Sequence, residues 1–331
     1  MQNGTARDAS VVVVSFNTRD VLRECLQTLA QHADGVSYET IVVDNASRDG
    51  SADMVAAEFP DATLIRSDVN LGFAGANNRG FPFARGRYVV LLNSDAFLRP
   101  GALPRSVEKM DATPTVGLAG ARLIGRDGSW QPSARMFPSV TNDLLTLSGL
   151  PAKYPRSRFL GRVDRTWADP GEPAEVDWVP GAYSIIRRSV LEHLGYFDER
   201  FFLYYEEVDL CRRIKAAGHT IWYWPDVEVV HIGGESSKTV TRLTMSSRGA
   251  QLTLWRMRSA LLYYRKHHGA RGAWKAMAAE IGWHSVRAWK NGRRDDAEHH
   301  AKAEESRTIV ALMQQAWRET QGGQVSPPRP W

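Results

Sequence analysis

Apolar and polar positions alternate in blocks along the first hundred residues, and each block has the spacing of a strand or a helix. Short apolar runs rich in β-branched residues predict four strands: "SVVVVSF" (10–16), "YETIVVDNAS" (38–47), "ATLIRS" (62–67) and "RYVVLLNSD" (87–95). The segment after the first run carries apolar residues at helical spacing, namely Val21, Leu22, Cys25, Leu26 and Leu29. Strand and helix signals therefore alternate, which predicts a mostly parallel, doubly wound α/β sheet flanked by helices.

Local signals also predict where elements begin and end. Ser51 is placed to cap a short helix, and a second helix is expected to start near Ala76. Residues 101–175 are rich in Pro, Gly and Arg, and we expect a mobile or variable region around 130–175. Regular patterns return after residue 176: a strand–turn–strand, a helix ending at Gly218, and a strand pair broken at Pro225. Residues 245–320 read as helical.

Polar clusters follow three of the predicted strands: Ser15 with Asn17, Asp44 with Asn45, and Asn93-Ser94-Asp95. In parallel sheets, ligands bind beyond the carboxyl ends of the strands, so these clusters predict one crevice. Asp44 suits either a nucleobase or ribose contact or a helix-capping turn. The glycines of "NLGFAGANNRG" (70–80) let backbone amides approach phosphates, although the stretch matches neither a Walker A loop nor G-x-G-x-x-G.

An acidic cluster follows an aromatic run in "FDERFFLYYEEVDLCRR" (197–213). Glu206 and Asp209 are three residues apart and share a helix face, whereas Glu207 points elsewhere. Aromatic surroundings raise the pKa of a carboxyl group, which suits a general base. The alternative interpretation of the cluster is structural: acidic residues in the first turn of a helix are stabilised by the helix macrodipole. His231 precedes two glycines at the end of an apolar run, and it suits a structural role or a metal-ligand role.

These stretches together resemble the family-2 glycosyltransferases of GT-A fold, in their bacterial rhamnosyltransferase-like branch, over roughly residues 10–235. The matching stretches follow the family's order and spacing: "VVVVSFN", "IVVDNASRDGS", "NLGFAGANNRG", "YVVLLNSDAFL", "WVPGAYSIIRRSV", "GYFDERFFLYYEEVDLCRRIKAAG" and "VVHIGGESS". The resemblance implies a Rossmann-like, mostly parallel central sheet in a catalytic domain over 1–240. Its nucleotide-binding half would span about 1–100 and its acceptor half 101–240, and a helical extension would follow over 241–331.

The resemblance also implies roles for single residues. The nucleotide-sugar pocket would comprise Ser15, Asn17, Asp44, Asn45, Gly72, Phe73, Asn77, Asn93 and Ser94. The acceptor side would comprise Trp178, Gly181, Ala182 and Glu206. Asp95 falls at the last position of the family's Asp-x-Asp metal motif, whose first position is Asn93 here, and His231 matches a second metal-ligand position. Glu207 falls at the catalytic-base position, where the family has Asp, and Asp209 is the reserve candidate.

The implied activity is an inverting glycosyl transfer that depends on Mg²⁺ or Mn²⁺. The first candidate for the donor is dTDP-L-rhamnose, and the acceptor would be a lipid-linked glycan or a polysaccharide. Two alternatives stay open: a UDP-sugar donor, and a non-catalytic module that binds nucleotide-sugars. Nucleotidyl transfer is disfavoured, because "VVVVSFNTRD" lacks a dense basic phosphate motif.

Charge is distributed unevenly along the 331 residues. Residues 1–241 have a formal net charge of −4 and residues 242–331 one of +9, and six of the eleven Trp lie after residue 241. Basic helices with Trp and Tyr suit the lipid headgroup zone, so 245–294 predicts peripheral membrane contact; the alternative is a helical cap with a solvated basic face. Nothing else supports a nucleic-acid partner. Within this segment an apolar stripe has helical spacing: Trp274, Met277, Ala278, Ile281 and Ser285.

The number of cysteines and the hydropathy of the chain indicate the cellular compartment of the protein. Cys25 and Cys211 are too few for a disulfide framework, which favours a reducing compartment. The first ten residues lack the apolar segment of a signal peptide, and no run approaches the roughly 18 apolar residues of a spanning helix. We therefore expect a cytoplasmic protein at the inner face of the plasma membrane.

Overall fold

The computed structural model of the chain describes residues 7–233, 247–327 and 329. Among them, two compact units interleave along the sequence. The first unit contains residues 7–137, 168–198 and 206–233, and the second contains 138–167, 199–205, 247–327 and 329. The second unit therefore draws on two earlier stretches as well as on the C-terminal region.

One sheet and six helices build the first unit. Its strands are β1 Ala9–Ser15, β2 Tyr38–Asp44, β3 Thr63–Arg66, β4 Tyr88–Asn93, β5 Ala96–Leu98, β6 Val116–Ile124, β7 Trp130–Gln131, β8 Ala174–Glu175, β9 Tyr183–Arg187 and β10 Thr220–His231. Its helices are α1 Arg19–His32, α2 Ser51–Glu58, α3 Gly72–Gly80 with a 3₁₀ turn at Phe81–Phe83, α4 Ala102–Ala112, α7 Arg188–Leu194 and α8 Glu206–Ala216. The second unit contains α5 Val140–Ser148, α6 Leu150–Lys153, α9 Ser247–Asn291 and α10 Ala297–Glu319.

The strands are ordered β3-β2-β1-β4-β9-β6-β10-β5, with β7 paired to β6 and β8 to β10. Strands β3, β2, β1 and β4 run parallel to one another, as do β6 and β10. Strand β9 is antiparallel between β4 and β6, and β5 is antiparallel to β10. Helices flank this mixed sheet, which confirms the predicted α/β class.

Burial on both faces of the central strands explains their continuous apolar runs. Val11 and Val13 of β1 belong to one core layer, whereas Val12 belongs to the other. The first layer includes α1 and α4 residues such as Leu22 and Leu103. A strand buried on both faces needs apolar residues at consecutive positions, which is the pattern seen in the sequence.

Two predicted helix starts are wrong in detail. Helix α2 begins at Ser51, but Ser51 accepts no capping bond; its N–H and Oγ donate to Asp49 Oδ1 at 3.0 and 2.5 Å. Helix α3 begins at Gly72 rather than near Ala76. Gly72 has φ +74°, a conformation that glycine adopts without the cost a side chain would add.

Two longer segments also differ from expectation. Strand β10 is continuous through Pro225, and the predicted break appears instead as a register shift between Trp224 and Glu228. The region around 130–175 contains helices α5 and α6, and Ser139 caps α5 by accepting a hydrogen bond from the N–H of Asn142 at 3.2 Å. A short capped helix carries little periodic signal, because only two turns are available to show it.

The second unit confirms the predicted C-terminal helical region. Helix α9 is interrupted at Gly269 (φ 68°, ψ −174°), and its two parts pack with α10 around Leu254, Met257, Leu261 and Met313. Tyr264 Oη donates to Asp143 Oδ2 at 2.6 Å, and burial raises the pKa of Asp143 to about 6. Among the described residues, no helix combines the length and apolar character required to cross a bilayer.

Asp49 gives a stability prediction. Its Oδ2 accepts a hydrogen bond from the N–H of Arg19 at the start of α1 (2.8 Å). Its Oδ1 accepts a hydrogen bond from the N–H of Ser51 at the start of α2. Burial alone would raise the pKa of Asp49, but the hydrogen bonds from Ser51 and Arg19 outweigh it and lower the pKa. Asp49→Ala should lower the free energy of unfolding by about 1–2 kcal/mol in a denaturant titration. Asp61→Ala, at an exposed turn, should change it by less than about 0.5 kcal/mol; equal losses would contradict the capping role.

Candidate functional site

The carboxyl ends of β1, β2 and β4 meet at one edge of the sheet. The register pairs Ser15 with Asp44 and Val14 with Asn93. A chain of hydroxyl groups crosses this edge: Ser15 Oγ lies 3.1 Å from Thr18 Oγ1, which donates to Ser94 Oγ at 3.1 Å. Thr18 was not among the residues predicted from the sequence, because its only local signal is its position before α1. The predicted convergence of the strand ends is present.

Asp44 is buried, and its two carboxylate oxygens have different surroundings. Oδ2 accepts a hydrogen bond from the N–H of Ser47 at 3.1 Å, which is the turn-capping interaction. Oδ1 is shielded from solvent and meets no hydrogen-bond donor within the described part of the chain. A buried carboxylate oxygen without a donor costs free energy, so a ligand that donates to it would bind favourably.

Several predicted pocket residues already have partners within the protein. Asn17 (φ 53°) accepts from the N–H of Arg48 at 2.7 Å through its side chain. The Asn45 amide donates to Asn70 Oδ1 at 2.9 Å, and the Asn77 amide donates to a carbonyl of its own helix. These bonds shape the loops around the strand ends. The assignment of these side chains to the nucleotide-sugar pocket stays a prediction.

Phe73 of α3 lies against Gly181. A Cβ atom at Gly181 would come 3.2 Å from Phe73 Cζ, so the ring occupies the space that a larger residue would need. The neighbouring Ala182 accepts a hydrogen bond at its carbonyl from the N–H of Asn93 at 3.0 Å. The structure therefore brings Phe73 and Asn93, predicted for the donor, next to Gly181 and Ala182, predicted for the acceptor.

Asp95 and His231 are brought together by the antiparallel pairing of β5 with β10. His231 pairs with Ala96, and the N–H of Ile232 donates to the Asp95 carbonyl at 3.1 Å. His231 Nε2 consequently lies 3.5 Å from Asp95 Oδ1. The two residues that were predicted to bind metal are thus neighbours, although they are far apart in sequence.

Gln131 of β7 holds His231 with both ends of its amide. Gln131 Nε2 donates to the His231 carbonyl at 2.8 Å, and Gln131 Oε1 lies 3.0 Å from His231 Nδ1. An amide oxygen only accepts, so Nδ1 donates in this contact, and the other ring nitrogen, Nε2, is directed towards Asp95. Residues that surround a metal site commonly orient a histidine side chain in this way. Gln131 was not among the residues predicted from the sequence.

The electrostatics of the Asp95–His231 pair suit a cation. An imidazole lone pair and a carboxylate oxygen repel each other at 3.5 Å unless a proton or a metal ion lies between them. Within residues 7–233, 247–327 and 329, no group of three or more His, Cys, Asp or Glu side chains forms a metal cluster.

Glu207 stands in the first turn of α8, and its Oε2 is shielded from solvent with no hydrogen-bond donor near it in the described structure. Burial raises the pKa of Glu207; the positive charge of Arg135 and N–H groups that include Gly181 oppose the rise. Arg135 lies over the Trp178 ring, 5.3 Å from its centroid, and the backbones of these two residues pair. Arg135 was missed because it lies in the region that looked irregular.

The other two acids of the cluster are buried. Asp209 is fully buried, and its Oδ2 lies 2.9 Å from Arg213 Nε. Arg213 also donates to the carbonyls of Leu194 and Tyr196, so the pair ties α8 to the preceding loop. Glu206 is 3% exposed and shares this inner face, as predicted.

A surface cavity of about 330 Å³ lies at the opposite end of β4, around Arg87, Asp111 and Arg187. Arg87 is paired with Asp8 and Asp111, and Arg187 donates to backbone carbonyls. Arg87 is thus paired with acids and Arg187 is hydrogen-bonded within the protein, so the strand-end cluster is the better candidate for the functional site.

Comparisons with known proteins find glycosyltransferases that are similar to this chain. An N-acetylglucosaminyl-diphospho-decaprenol L-rhamnosyltransferase of Mycobacterium tuberculosis is 29% identical over 233 residues, covering 67% of this chain and 75% of that protein. Rhamnosyltransferase WbbL of Escherichia coli (strain K12) is 22% identical over 242 residues, covering 69% and 85%.

Among solved structures, the mannosyltransferase PcManGT from Pyrobaculum calidifontis, in complex with GDP-Man and Mn²⁺, superimposes with a TM-score of 0.55. The two chains are 18% identical over 94% of this chain and 87% of that one, and the likeness confirms the GT-A fold. The profile described as "Glycosyl transferase family 2" matches residues 10–195, which is more than half of the sequence. The chain therefore belongs to glycosyl transferase family 2 and is a glycosyltransferase of the rhamnosyltransferase-like branch.

Proposed function

We propose that the protein is an inverting, divalent-metal-dependent glycosyltransferase that uses Glu207 as its catalytic base. The first candidate for the donor is dTDP-L-rhamnose, and the acceptor is a lipid-linked glycan or a polysaccharide at the inner face of the plasma membrane. The observation that carries the proposal is the shielded Glu207 carboxylate, with its raised pKa, beside Gly181. The names of the rhamnosyltransferase relatives support the choice of sugar.

Glu207 suits the base better than Asp209 does. A base must accept a proton from the acceptor hydroxyl, and the Glu207 Oε2 has no donor competing for it among the described residues. The Asp209 carboxylate is fully buried and paired with Arg213. One carboxylate is sufficient for a single displacement, in which the hydroxyl attacks the anomeric carbon opposite the leaving diphosphate and inverts its configuration.

Asp44 gives the nucleotide a binding point. Its Oδ1 is a buried acceptor that lacks a donor, and the imide N–H of thymine or uracil, or a ribose hydroxyl, is a donor of suitable chemistry. The contact is common to dTDP- and UDP-sugars, so a UDP-sugar remains the second candidate donor. Phe73 beside Gly181 would then bound the sugar end of the pocket.

Asp95 and His231 are the residues that would hold a divalent ion. Their separation and the orientation imposed by Gln131 fit a carboxylate–imidazole pair completed by diphosphate oxygens and water. Such an ion, when bound, neutralises the negative charge that develops on the leaving diphosphate. Mn²⁺ accepts imidazole more readily than Mg²⁺ does, and the PcManGT complex contains Mn²⁺. With so few protein ligands, we expect weak metal binding in the absence of nucleotide.

Glu207→Gln tests the base. The amide keeps the size of the side chain but cannot take a proton, so transfer should fall by about 10²–10⁴-fold. The nucleotide should still bind, as seen by a thermal shift with dTDP-, UDP- and GDP-sugars plus Mn²⁺. Glu192→Gln, on the exposed part of α7, should leave transfer unchanged. Full activity in Glu207→Gln would exclude this base, and donor binding without turnover in the natural chain would favour a non-catalytic module.

The same substitution should stabilise the fold in a pH-dependent manner. The folded-state pKa of Glu207 is raised above 4.5, so between the two pKa values the folded state binds more protons and stability falls as pH rises. Glu207→Gln removes this loss. Its melting temperature should match that of the natural protein near pH 4.5 and exceed it at pH 8, whereas Glu192→Gln should show no such pH-dependent difference. A lower melting temperature for Glu207→Gln at pH 8 would count against the burial argument.

Gln131→Ala tests the metal pair. Without the amide, His231 loses its fixed tautomer and orientation, so metal affinity in the presence of nucleotide should fall by about 10–100-fold. Isothermal titration with Mn²⁺ plus nucleoside diphosphate measures this directly, and EDTA should abolish transfer by the natural enzyme. Gln27→Ala, on the exposed side of α1, is the matched control. Unchanged affinity in Gln131→Ala, or transfer that survives EDTA, would remove the metal from the proposal.

A further inference from the structure

The second part of α9, residues 270–291, exposes large apolar side chains along one side. Trp274, Val286 and Trp289 are 57%, 64% and 60% exposed. The other side of the segment supplies the packing: Ala273 and Ala288 are buried, and Met277 and Ile281 contact the core shared with α10. The exposed indoles are therefore not required to hold the helix in place.

Basic residues surround these indoles on the same side. We name as the indole face the residues Arg271, Trp274, Lys275, Val286, Trp289 and Lys290, all of which are exposed. Arg293 follows and stacks over the Trp289 ring, 3.9 Å from its centroid. The one acid between residues 270 and 291 is Glu280, which is 8% exposed and faces the protein interior.

Two cations of α10 are paired with neighbouring acids. On α10, Lys302 pairs with Glu298, and Arg307 pairs with Glu304. Basic side chains occur on both helices, but among the described residues the exposed Trp side chains belong to the indole face, which contains no acid. A solvated helix surface gains nothing from exposed indoles, so the combination indicates a partner that is both anionic and apolar.

We infer that the indole face binds the surface of an anionic lipid bilayer. Trp274 and Trp289 are 15 residues apart on one side of a helix, a separation of about 22 Å along the axis, which suits a helix lying flat on an extended surface. Indole rings bind at the headgroup level, and Lys and Arg are drawn to anionic lipids. A soluble acidic partner would satisfy the charges but would not need two indoles spaced along the whole segment.

The docking itself is independent of the reaction. Only its purpose rests on the proposed function, since a lipid-linked acceptor resides in a bilayer and docking keeps the enzyme beside it. Binding to vesicles needs no nucleotide-sugar, and transfer to a water-soluble acceptor analogue needs no vesicle. Failure of one measurement is therefore distinguishable from failure of the other.

Vesicle co-sedimentation of the full chain tests the inference. Vesicles of phosphatidylcholine with about 30% phosphatidylglycerol should bind the protein at least about tenfold more tightly than pure phosphatidylcholine vesicles at low salt. Trp274→Ala/Trp289→Ala and Lys275→Ala/Lys290→Ala should each weaken binding to the anionic vesicles by about tenfold or more. These side chains are exposed, so circular dichroism and melting temperature should stay unchanged in both variants.

Two matched variants control for general loss of aromatic area or charge. Phe159→Ala removes an aromatic side chain that is 58% exposed in the same unit, and Lys302→Ala/Arg307→Ala removes two cations from α10. Both should bind vesicles like the natural chain. The inference is overturned if the indole-face variants bind equally well, if the controls lose as much, or if sedimentation shows that the tryptophans mediate self-association while vesicle binding is unaffected.

Discussion

The parallel pairing of β1 with β2 and β4 is the constraint on which the site depends. Parallel strands end at the same edge, so this pairing places Ser15, Asp44 and Asn93 side by side. It also demands helices on both faces, because β1 is buried on both sides. A shift of one residue in this register would turn the apolar side chains of β1 to the wrong core layer and separate the polar strand ends at once.

Two buried carboxylate groups of α8 are compensated to different degrees. Asp209 is paired with the Arg213 guanidinium, and this ion pair makes the acid part of the packing. Glu207 is compensated only partly, by the charge of Arg135 and by backbone N–H groups, so its pKa stays raised. A carboxylate in a poorly solvated site has a higher proton affinity. A base that takes a proton from a hydroxyl group needs a high proton affinity. Two acids of one helix can therefore differ in role because of what surrounds them rather than because of their sequence spacing.

The sequence predicted what depends on local pattern. Strands β1 to β4 and the polar residues that end them follow from apolar runs, and the resemblance to the family named Asp95, His231 and Glu207. The roles of Thr18 and Gln131 were not predictable in this way, since their partners Ser94 and His231 lie 76 and 100 positions away. The cap of α2 was misassigned for a smaller reason. Gly50 has φ +84°, which turns the chain so that Asp49, rather than Ser51, reaches the free N–H groups.

Charge in the C-terminal region shows why composition needs geometry. Arg258 pairs with Glu319, and Arg287 pairs with Glu305; the net charge of +9 already subtracts these acids, but it does not say which cations they neutralise. Helical spacing also predicted that Trp274 lies on one stripe with Met277 and Ile281. Trp274 lies at the border between the exposed and the packed sides of α9, so spacing alone does not separate it from these two residues. The structure assigns Met277 and Ile281 to the core and Trp274 to solvent. Within residues 270–291, once the paired Arg287 and the packed apolar residues are set aside, the exposed cations and indoles fall on the same side, a coincidence that solvation alone gives no reason to expect.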